Sequence, residues 1–222
     1  MLTRYYYVGE FSQYMDTFKQ YPHENVTFQK EEFLCSPSLA LDKVFLIESG
    51  LTKLSVLHDA GENKIFGFWG EGSMFPIICT KQNFNLEYSI VMQAVTKVRV
   101  LTFSPETFKQ ILSEHDEITY ETIDHYCRFC NMLLFNATTQ SYESVRTRIC
   151  SVLYLYLHYV KPKDHWVDLS QDDIASLIGT SRVTAAREFA SLRNEGVLTT
   201  HRKRICVVDI EKIKANTSQY CK

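Results

Sequence analysis

The spacing of apolar and polar positions changes character along this 222-residue chain, and each change predicts a different kind of element. Residues 1–25 (MLTRYYYVGEFSQYMDTFKQYPHEN) predict a loose start and a short helix around Phe11 to Phe18. That helix ends before Pro22, since proline disfavours helical geometry in the residue preceding it. From Val26 to Phe103 short β segments alternate with Gly, Asn, Asp and Pro. VFLIESGLTKLSVL alternates on either side of Ser49-Gly50 and predicts two strands turning on a glycine that can take positive φ. HDAGEN reads as the next hairpin turn, and KIFGFW, WGEGSMF, YSIVMQAV and KVRVLTF continue the strands into an antiparallel barrel or roll.

Period two then gives way to helical spacing. Ser104-Pro105-Glu106 opens a helix with an N-cap and a proline in the first turn, followed by FKQILSEH. Between about Glu117 and Ser141, apolar and aromatic residues recur three and four apart: Ile118, Ile123, Tyr126, Phe129 or Cys130, Leu133 or Leu134, Ala137. No Gly or Pro interrupts this run, so a long helix is expected, suited to packing against its twin. The alternative is a single helix lying on its own barrel. A further helix runs from Arg146 to Tyr159, and KPKDHW is a loop.

The densest signal follows, in DLSQDDIASLIGTSRVTAAREFASLRNEGVL. Ser170 with Asp173 is a capping box opening a helix at Gln171, with Ile174, Ala175 and Ile178 on its buried face, and Gly179 ends it. Thr180 or Ser181 caps a second helix that buries Ala185, Phe189 and Leu192 and turns Arg182, Val183, Ala186, Arg187 and Ala190 outward, and Gly196 stops it. VLTT, HRKR and ICVV then read as strand, basic turn, strand. Two short helices joined by a glycine turn, with a hairpin wing, predict a winged helix-turn-helix whose second helix fits the major groove. In that reading Arg182 and Arg187 reach phosphates or guanine acceptors, Val183 touches a thymine methyl, and Arg202, Lys203 and Arg204 lie on a phosphate run.

Charge distribution argues against an ordinary helical pair with a solvated face. Between Ser181 and Val208 six Lys or Arg (Arg182, Arg187, Arg193, Arg202, Lys203, Arg204) stand against two acids (Glu188, Glu195), whereas the remainder holds 18 basic and 24 acidic residues. The net charge of −2 carries no message by itself. Seven cysteines without regular spacing and no apolar run of membrane length predict a cytoplasmic protein with free thiols and no membrane contact. No phosphate loop, assembled nucleophile or metal set is read in the chain, so neither an enzyme, a metal site nor a cofactor is expected.

In order and length these elements resemble the CRP/FNR family of bacterial transcription regulators, over nearly the whole chain. LSQDDIASLIGTSRVTAAREFASLRNEGVL with RKRICVVD carries the resemblance, supported by ESVRTRI at the start of the DNA-binding segment and FLIESGLTKL at the first hairpin of the roll. The resemblance implies an α+β fold: an N-terminal antiparallel β-roll of the cyclic-nucleotide-binding kind (1–116), a dimerisation helix (117–141) and a C-terminal winged helix-turn-helix (142–222). It implies that Ser181 and Arg182 open the recognition helix, that Thr184 contacts phosphate, and that Arg187 is the second reading arginine. Val183 departs from the family, where a glutamate is frequent. A homodimer on a palindromic double-stranded operator and an activator's contact with RNA polymerase are implied too, with repression by occlusion using the same DNA contacts. The rival is a ligand-binding or protein-interaction module whose winged helix contacts protein.

The effector is read by elimination. Cyclic-nucleotide binders of the family carry a Gly-Glu pair and an Arg-Ser or Arg-Thr pair in the roll; here Pro76-Ile77 and Tyr88-Ser89 stand there, and Leu133 and Leu134 replace an expected hydroxyl pair on the long helix. The first 34 residues hold no cysteine for an iron-sulfur cluster. Cys127 and Cys130 form a C-x-x-C that across a dimer offers four thiolates, and Cys127, Cys130 or Cys150 offers a thiol redox switch, but the reading adopted for the C-x-x-C is small core residues. His115 and His125 are read as surface or N-terminal-turn residues rather than haem ligands. There remains an apolar or aromatic small molecule in a pocket lined by Phe66, Phe68, Trp69, Tyr88, Tyr126 and Phe129, or else a roll that these aromatics simply fill.

Overall fold

The computed structural model describes residues 5–35, 43–58, 63–75, 88–201 and 203–221. The chain divides into a unit spanning Tyr7–Cys127 and a second holding Tyr5, Tyr6 and the chain from Arg128 on.

The first unit is built on two sheets, whose first strand begins one residue before it, at Tyr6. One has the order β1-β6-β5-β8-β3, from Tyr6–Tyr7 (β1), Phe33–Cys35 (β3), Leu51–His58 (β5), Asn63–Gly70 (β6) and Tyr88–Ala94 (β8). The other has the order β2-β9-β4-β7, from Glu24–Phe28 (β2), Val44–Ser49 (β4), Met74–Phe75 (β7) and Val98–Phe103 (β9). β5 pairs antiparallel with β6 and β8, and β9 with β2 and β4. The roll is therefore as expected. The HDAGEN hairpin is present as the β5–β6 pairing, although residues 59–62 at its turn lie outside the described residues.

One detail differs from expectation. β4 and β5 do not form a hairpin with each other, because the chain crosses from one sheet to the other at Gly50. This residue has φ +96°, and a Cβ there would stand 2.3 Å from the Lys97 carbonyl oxygen, so a side chain is excluded by both conformation and space. The crossing is pinned by Leu51, whose amide donates to Thr96 Oγ1 at 2.9 Å.

A short helix, α1 (Met15–Phe18), follows a 3₁₀ turn at Ser12–Tyr14. α2 (Pro105–Glu114) is capped by Ser104, whose Oγ accepts from the Thr107 amide at 3.0 Å. Phe11, Phe18, Leu46, Leu101, Phe103, Phe108, Ile111 and Ile118 form one buried cluster, so α1, α2 and the start of the long helix close over the four-stranded sheet. Each such fully buried side chain contributes roughly 1.5–3 kcal/mol.

The long helix, α3, runs Asp116–Tyr142. Its apolar residues divide between opposite faces, which corrects the single stripe expected from the sequence. Ile118, Thr122, His125, Met132, Asn136 and Thr139 are buried, whereas Tyr120, Ile123, Cys127, Cys130 and Leu134 are exposed. Cys127 and Cys130 are thus not core residues of this chain, and His125, only 4% exposed, is not a surface histidine. It packs against Tyr7 and Trp69, ring centroids 4.9 and 6.4 Å away.

The second unit begins with α4 (Val145–Tyr159), capped by Ser144 and buried along Ile149, Cys150, Val152, Leu153, Leu155 and Tyr156. Beyond it come β10 (Trp166–Val167), α5 (Gln171–Ile178), α6 (Arg182–Asn194), β11 (Leu198–His201), β12 (Arg204–Val207) and α7 (Ile210–Asn216). The wing is three-stranded, in the order β10-β12-β11, rather than the two-stranded hairpin expected. The N-terminal start is not loose at its described end: Tyr5 donates to Asn136 Oδ1 at 2.8 Å, and Tyr6 meets Tyr156 edge-on at 5.2 Å.

Candidate nucleic-acid interface

α5 forms because its first turn satisfies its own amides. Ser170 Oγ accepts from the Asp173 amide at 3.0 Å, and Asp173 Oδ2 accepts from the Ser170 amide at 3.1 Å. Gly179 closes the helix at φ +65°, a left-handed cap open to glycine at little cost. The side chain of Arg148, on α4, donates to the Ile178 carbonyl and so satisfies an orphaned acceptor at the same end. Burial lowers the pKa of that guanidinium, with Tyr5 and Glu143 opposing the shift.

Two residues later Ser181 caps α6, accepting from the Thr184 amide at 3.1 Å. Ala185, Phe189 and Leu192 are buried, and Ile174, Ala175, Leu177 and Ile178 are the buried residues of α5. Most of the outward face matches expectation: Ser181, Arg182, Val183, Thr184, Ala186 and Arg187 are exposed, whereas Ala190 is half-buried. Val183 is 63% exposed, an apolar residue in water with no core role. Arg182 lies 3.6 Å from Asp172 Oδ2, with its side chain 80% exposed. Such a surface pair is worth roughly 0–1 kcal/mol, so the guanidinium is easily surrendered to a phosphate. Arg187 has no ion-pair partner among the described residues.

The wing residues fare differently from one another. His201 and Arg204 pair across a two-residue turn. Lys203, in that turn, is exposed and takes φ +61°; Arg202 lies outside the described residues. Arg204 is tied down, with Nε 2.7 Å from Asp168 Oδ1 and its guanidinium 4.7 Å from the centre of the Trp166 ring.

Other residues that hold the recognition helix had no local sequence signal. Arg146 on α4 makes a two-pronged ion pair with Glu195, at the end of α6. Its guanidinium and the Ser191 hydroxyl hold the Glu195 carboxyl down to about 2. Arg193 Nη1 donates to Thr200 Oγ1 at 3.2 Å, linking α6 to β11.

The aromatic set expected to line an effector pocket is dispersed. Phe68 and Trp69 are fully buried, and Trp69 stacks on Tyr7 at 4.7 Å and meets Phe75 edge-on at 5.7 Å. Phe66 and Tyr126 are half-buried, Phe129 belongs to the other unit, and the Tyr88 side chain lies outside what is described. A cavity of about 340 Å³ is lined by Tyr154, Leu157, His158, Lys161, Pro162, His165 and Ile210, none of them in that set. Pro76 and Ile77 lie outside the described residues. Arg99 is the only arginine between Tyr5 and Asp116; it is exposed on β9 and donates from Nε to Ser49 Oγ at 3.1 Å. The roll thus has no inward arginine to pair with a cyclic phosphate among its described residues.

A β-roll, a long helix and a winged helix-turn-helix with a cationic outward face together define a DNA-binding transcription regulator with an N-terminal sensing domain. Residues 25–115 match the cyclic nucleotide-binding domain and residues 147–215 the Crp-like helix-turn-helix domain. The chain belongs to the CRP/FNR family of transcription regulators. It is similar to the global nitrogen regulators of a Synechocystis strain (26% identical over 188 residues, 82% of this chain and 83% of that one) and of a Nostoc strain (24% over 186 residues, with the same coverage). Among solved structures it resembles FixK2 from Bradyrhizobium japonicum, with TM-score 0.74 at 12% identity, covering 89% of this chain and 98% of that one. CprK in complex with OCPA gives TM-score 0.67 at 17% identity, covering 97% and 99%.

Proposed function

We propose that this regulator works as a homodimer in the cytoplasm, reading a palindromic operator through Ser181, Arg182, Val183, Thr184 and Arg187 of α6 and steadying it through Arg202, Lys203 and Arg204 of the wing. The observation that carries the reading is the outward face of α6, where two arginines, an exposed valine and small residues cluster at a helix N-terminus. Amides and positive dipole at that end favour phosphate, and the small residues allow close approach to the bases. Pairing is carried by the exposed apolar stripe of α3.

Division of labour follows the elements: 1–116 sense, 117–141 pair and 142–222 bind DNA. The effector is a small molecule or redox signal other than a cyclic nucleotide. Phe66 and Tyr126 keep accessible surface for an apolar ligand; Phe68 and Trp69 are taken up by packing, and Tyr88 and Phe129 complete the candidate set. Binding biases the spacing of the two recognition helices, which supplies the differential free energy of switching. Once on DNA, the protein activates by recruiting RNA polymerase.

The test is electrophoretic mobility against a genomic fragment library, followed by footprinting. A protected two-fold symmetric site, lost in Arg187→Ala, is the expected result. Retention of no fragment even at low salt overturns the DNA reading, and protection of one unpaired half-site overturns the homodimer. In vitro transcription from the recovered promoter separates activation from occlusion.

A further inference from the structure

The exposed residues Tyr120, Ile123, Cys127, Cys130, Leu134 and Ala137 follow one another at steps of three and four. This is the heptad seam of a coiled coil, with Cys127 at an a position and Cys130 at the following d. In a parallel two-fold pair each a or d residue faces its own copy, so the seam would contain two consecutive layers of cysteine against cysteine. The inference below rests on the homodimer proposed above.

These two thiols stand apart from the other described cysteines. Cys35, Cys150 and Cys221 are buried, and burial pushes their thiols up to about 11, 11 and 12, which keeps them protonated and unreactive. Cys206 is half-buried, and among the described cysteines only Cys127 and Cys130 are exposed. Their role as small core residues is excluded, and a seam of Tyr, Ile and Leu does not require sulfur.

We infer that Cys127 and Cys130 form a covalent inter-subunit site, in which identical cysteines of the two copies join as a disulfide by exchange with a low-molecular-weight disulfide such as oxidised glutathione. On a separate protomer the thiolate attacks one sulfur of the small disulfide, forming a mixed disulfide and expelling a small thiolate that takes up the proton. On association the same cysteine of the second copy attacks the protein sulfur of that mixed disulfide and expels the second small thiol. Two protein thiols are thus oxidised and one small disulfide is reduced to two thiols. The product is neutral and suits an apolar seam. A metal held by four thiolates would add negative charge close to Asp124, itself exposed one turn from Cys127, and burial opposes that.

The experiment uses the full chain, reduced and then exchanged into oxidised glutathione, with non-reducing electrophoresis and light scattering of the reduced protein. Expected are a dimer by scattering and a band near twice the 25.9 kDa chain mass that is reversed by dithiothreitol, kept in Cys206→Ser and at least ~10-fold weaker in the Cys127→Ser/Cys130→Ser double variant. A scattering dimer with no covalent band overturns the cross-link and leaves the homodimer standing. A reduced protein that scatters as a monomer overturns both, and a band that survives in the double variant overturns the assignment to these residues.

Discussion

The Arg204 guanidinium lies over the Trp166 indole, 4.7 Å from its centre, while its Nε reaches Asp168 Oδ1 at 2.7 Å. The pair fastens β12 to β10 and to the segment that enters α5, so a residue counted as a phosphate ligand also braces the wing. Lys203, beside it in the turn, is exposed and takes φ +61°. The two therefore separate by experiment. Lys203→Ala is expected to weaken operator and random duplex alike and to lower the slope of log K against log salt by about 1. Arg204→Ala costs about 1 kcal/mol of stability, the sum of a half-exposed ion pair and a cation–π contact. Thermal melting and salt titration on both variants check this.

Of the two arginines on the outward face of α6, Arg182 lies near Asp172 and Arg187 has no ion-pair partner among the described residues. In the proposed reading its loss removes a base contact and leaves the phosphate contacts in place. Arg187→Ala is expected to lower operator affinity by about 1–3 kcal/mol and to move the ratio of operator to random-duplex binding toward one. Competition binding at fixed salt measures that ratio; a ratio equal to the parent's rejects the assignment.

Arg146 and Glu195 supply a pH test. The Glu195 carboxyl is held at about 2, below its ordinary 4.5, by the hydrogen bond from Arg146 first and that from Ser191 next. Since the folded value is depressed, the stabilisation is present above the unfolded value and is lost as pH falls through about 4.5 toward 2. A carboxyl-carbon NMR titration should place the Glu195 midpoint near 2, and Arg146→Ala should return it to the ordinary carboxylate range.

Gly50 and Gly179 both take positive φ but differ in what a methyl group would meet. At Gly50 it is the Lys97 carbonyl oxygen at 2.3 Å, which cannot move without the backbone. At Gly179 it is the flexible end of Gln140 at 3.0 Å. Gly179→Ala should cost about 1–2 kcal/mol, the left-handed penalty alone. Gly50→Ala should cost more than ~3 kcal/mol, as strain and clash combine. Denaturant midpoints of the two variants, compared with the parent, decide it.

How far the sequence foretells these features depends on range. The recognition motif was legible because its determinants are local: Ser170, Asp173, Gly179 and Ser181 each act within four residues of the backbone groups they satisfy. Long-range pairing was not legible. The crossing of the chain at Gly50, β10 joining the wing, and Tyr6–Tyr7 as a strand all depend on partners far away in sequence, and a two-residue strand has no periodicity to detect. α3 failed for another reason. Its apolar residues occupy opposite faces, and periodicity alone does not say which face a chain keeps for itself, so the spacing groups Ile118 with Ile123 and cannot place Cys127 and Cys130 on the exposed side. For the pocket aromatics, composition cannot tell a filled interior from a lined one: Phe68 and Trp69 are fully buried, whereas Phe66 and Tyr126 are half-buried.

That second face of α3 gives the most direct test of pairing. Leu134 is 67% exposed, and its place in the three-four stripe puts it against its own copy in a parallel seam. Leu134→Asp leaves the protomer's own core untouched, so the protomer's fold and circular dichroism should stay as in the parent. In the pair it sets two carboxylates face to face in an apolar layer. Burying them unpaired costs several kcal/mol, so the dimer Kd should rise on the order of 10²–10³-fold. Light scattering across a dilution series should show a monomer where the parent is a dimer, and binding to a two-half-site operator should fall by more than binding to a single half-site. If Leu134→Asp pairs as tightly as the parent, the seam lies elsewhere and the covalent site at Cys127 and Cys130 falls with it.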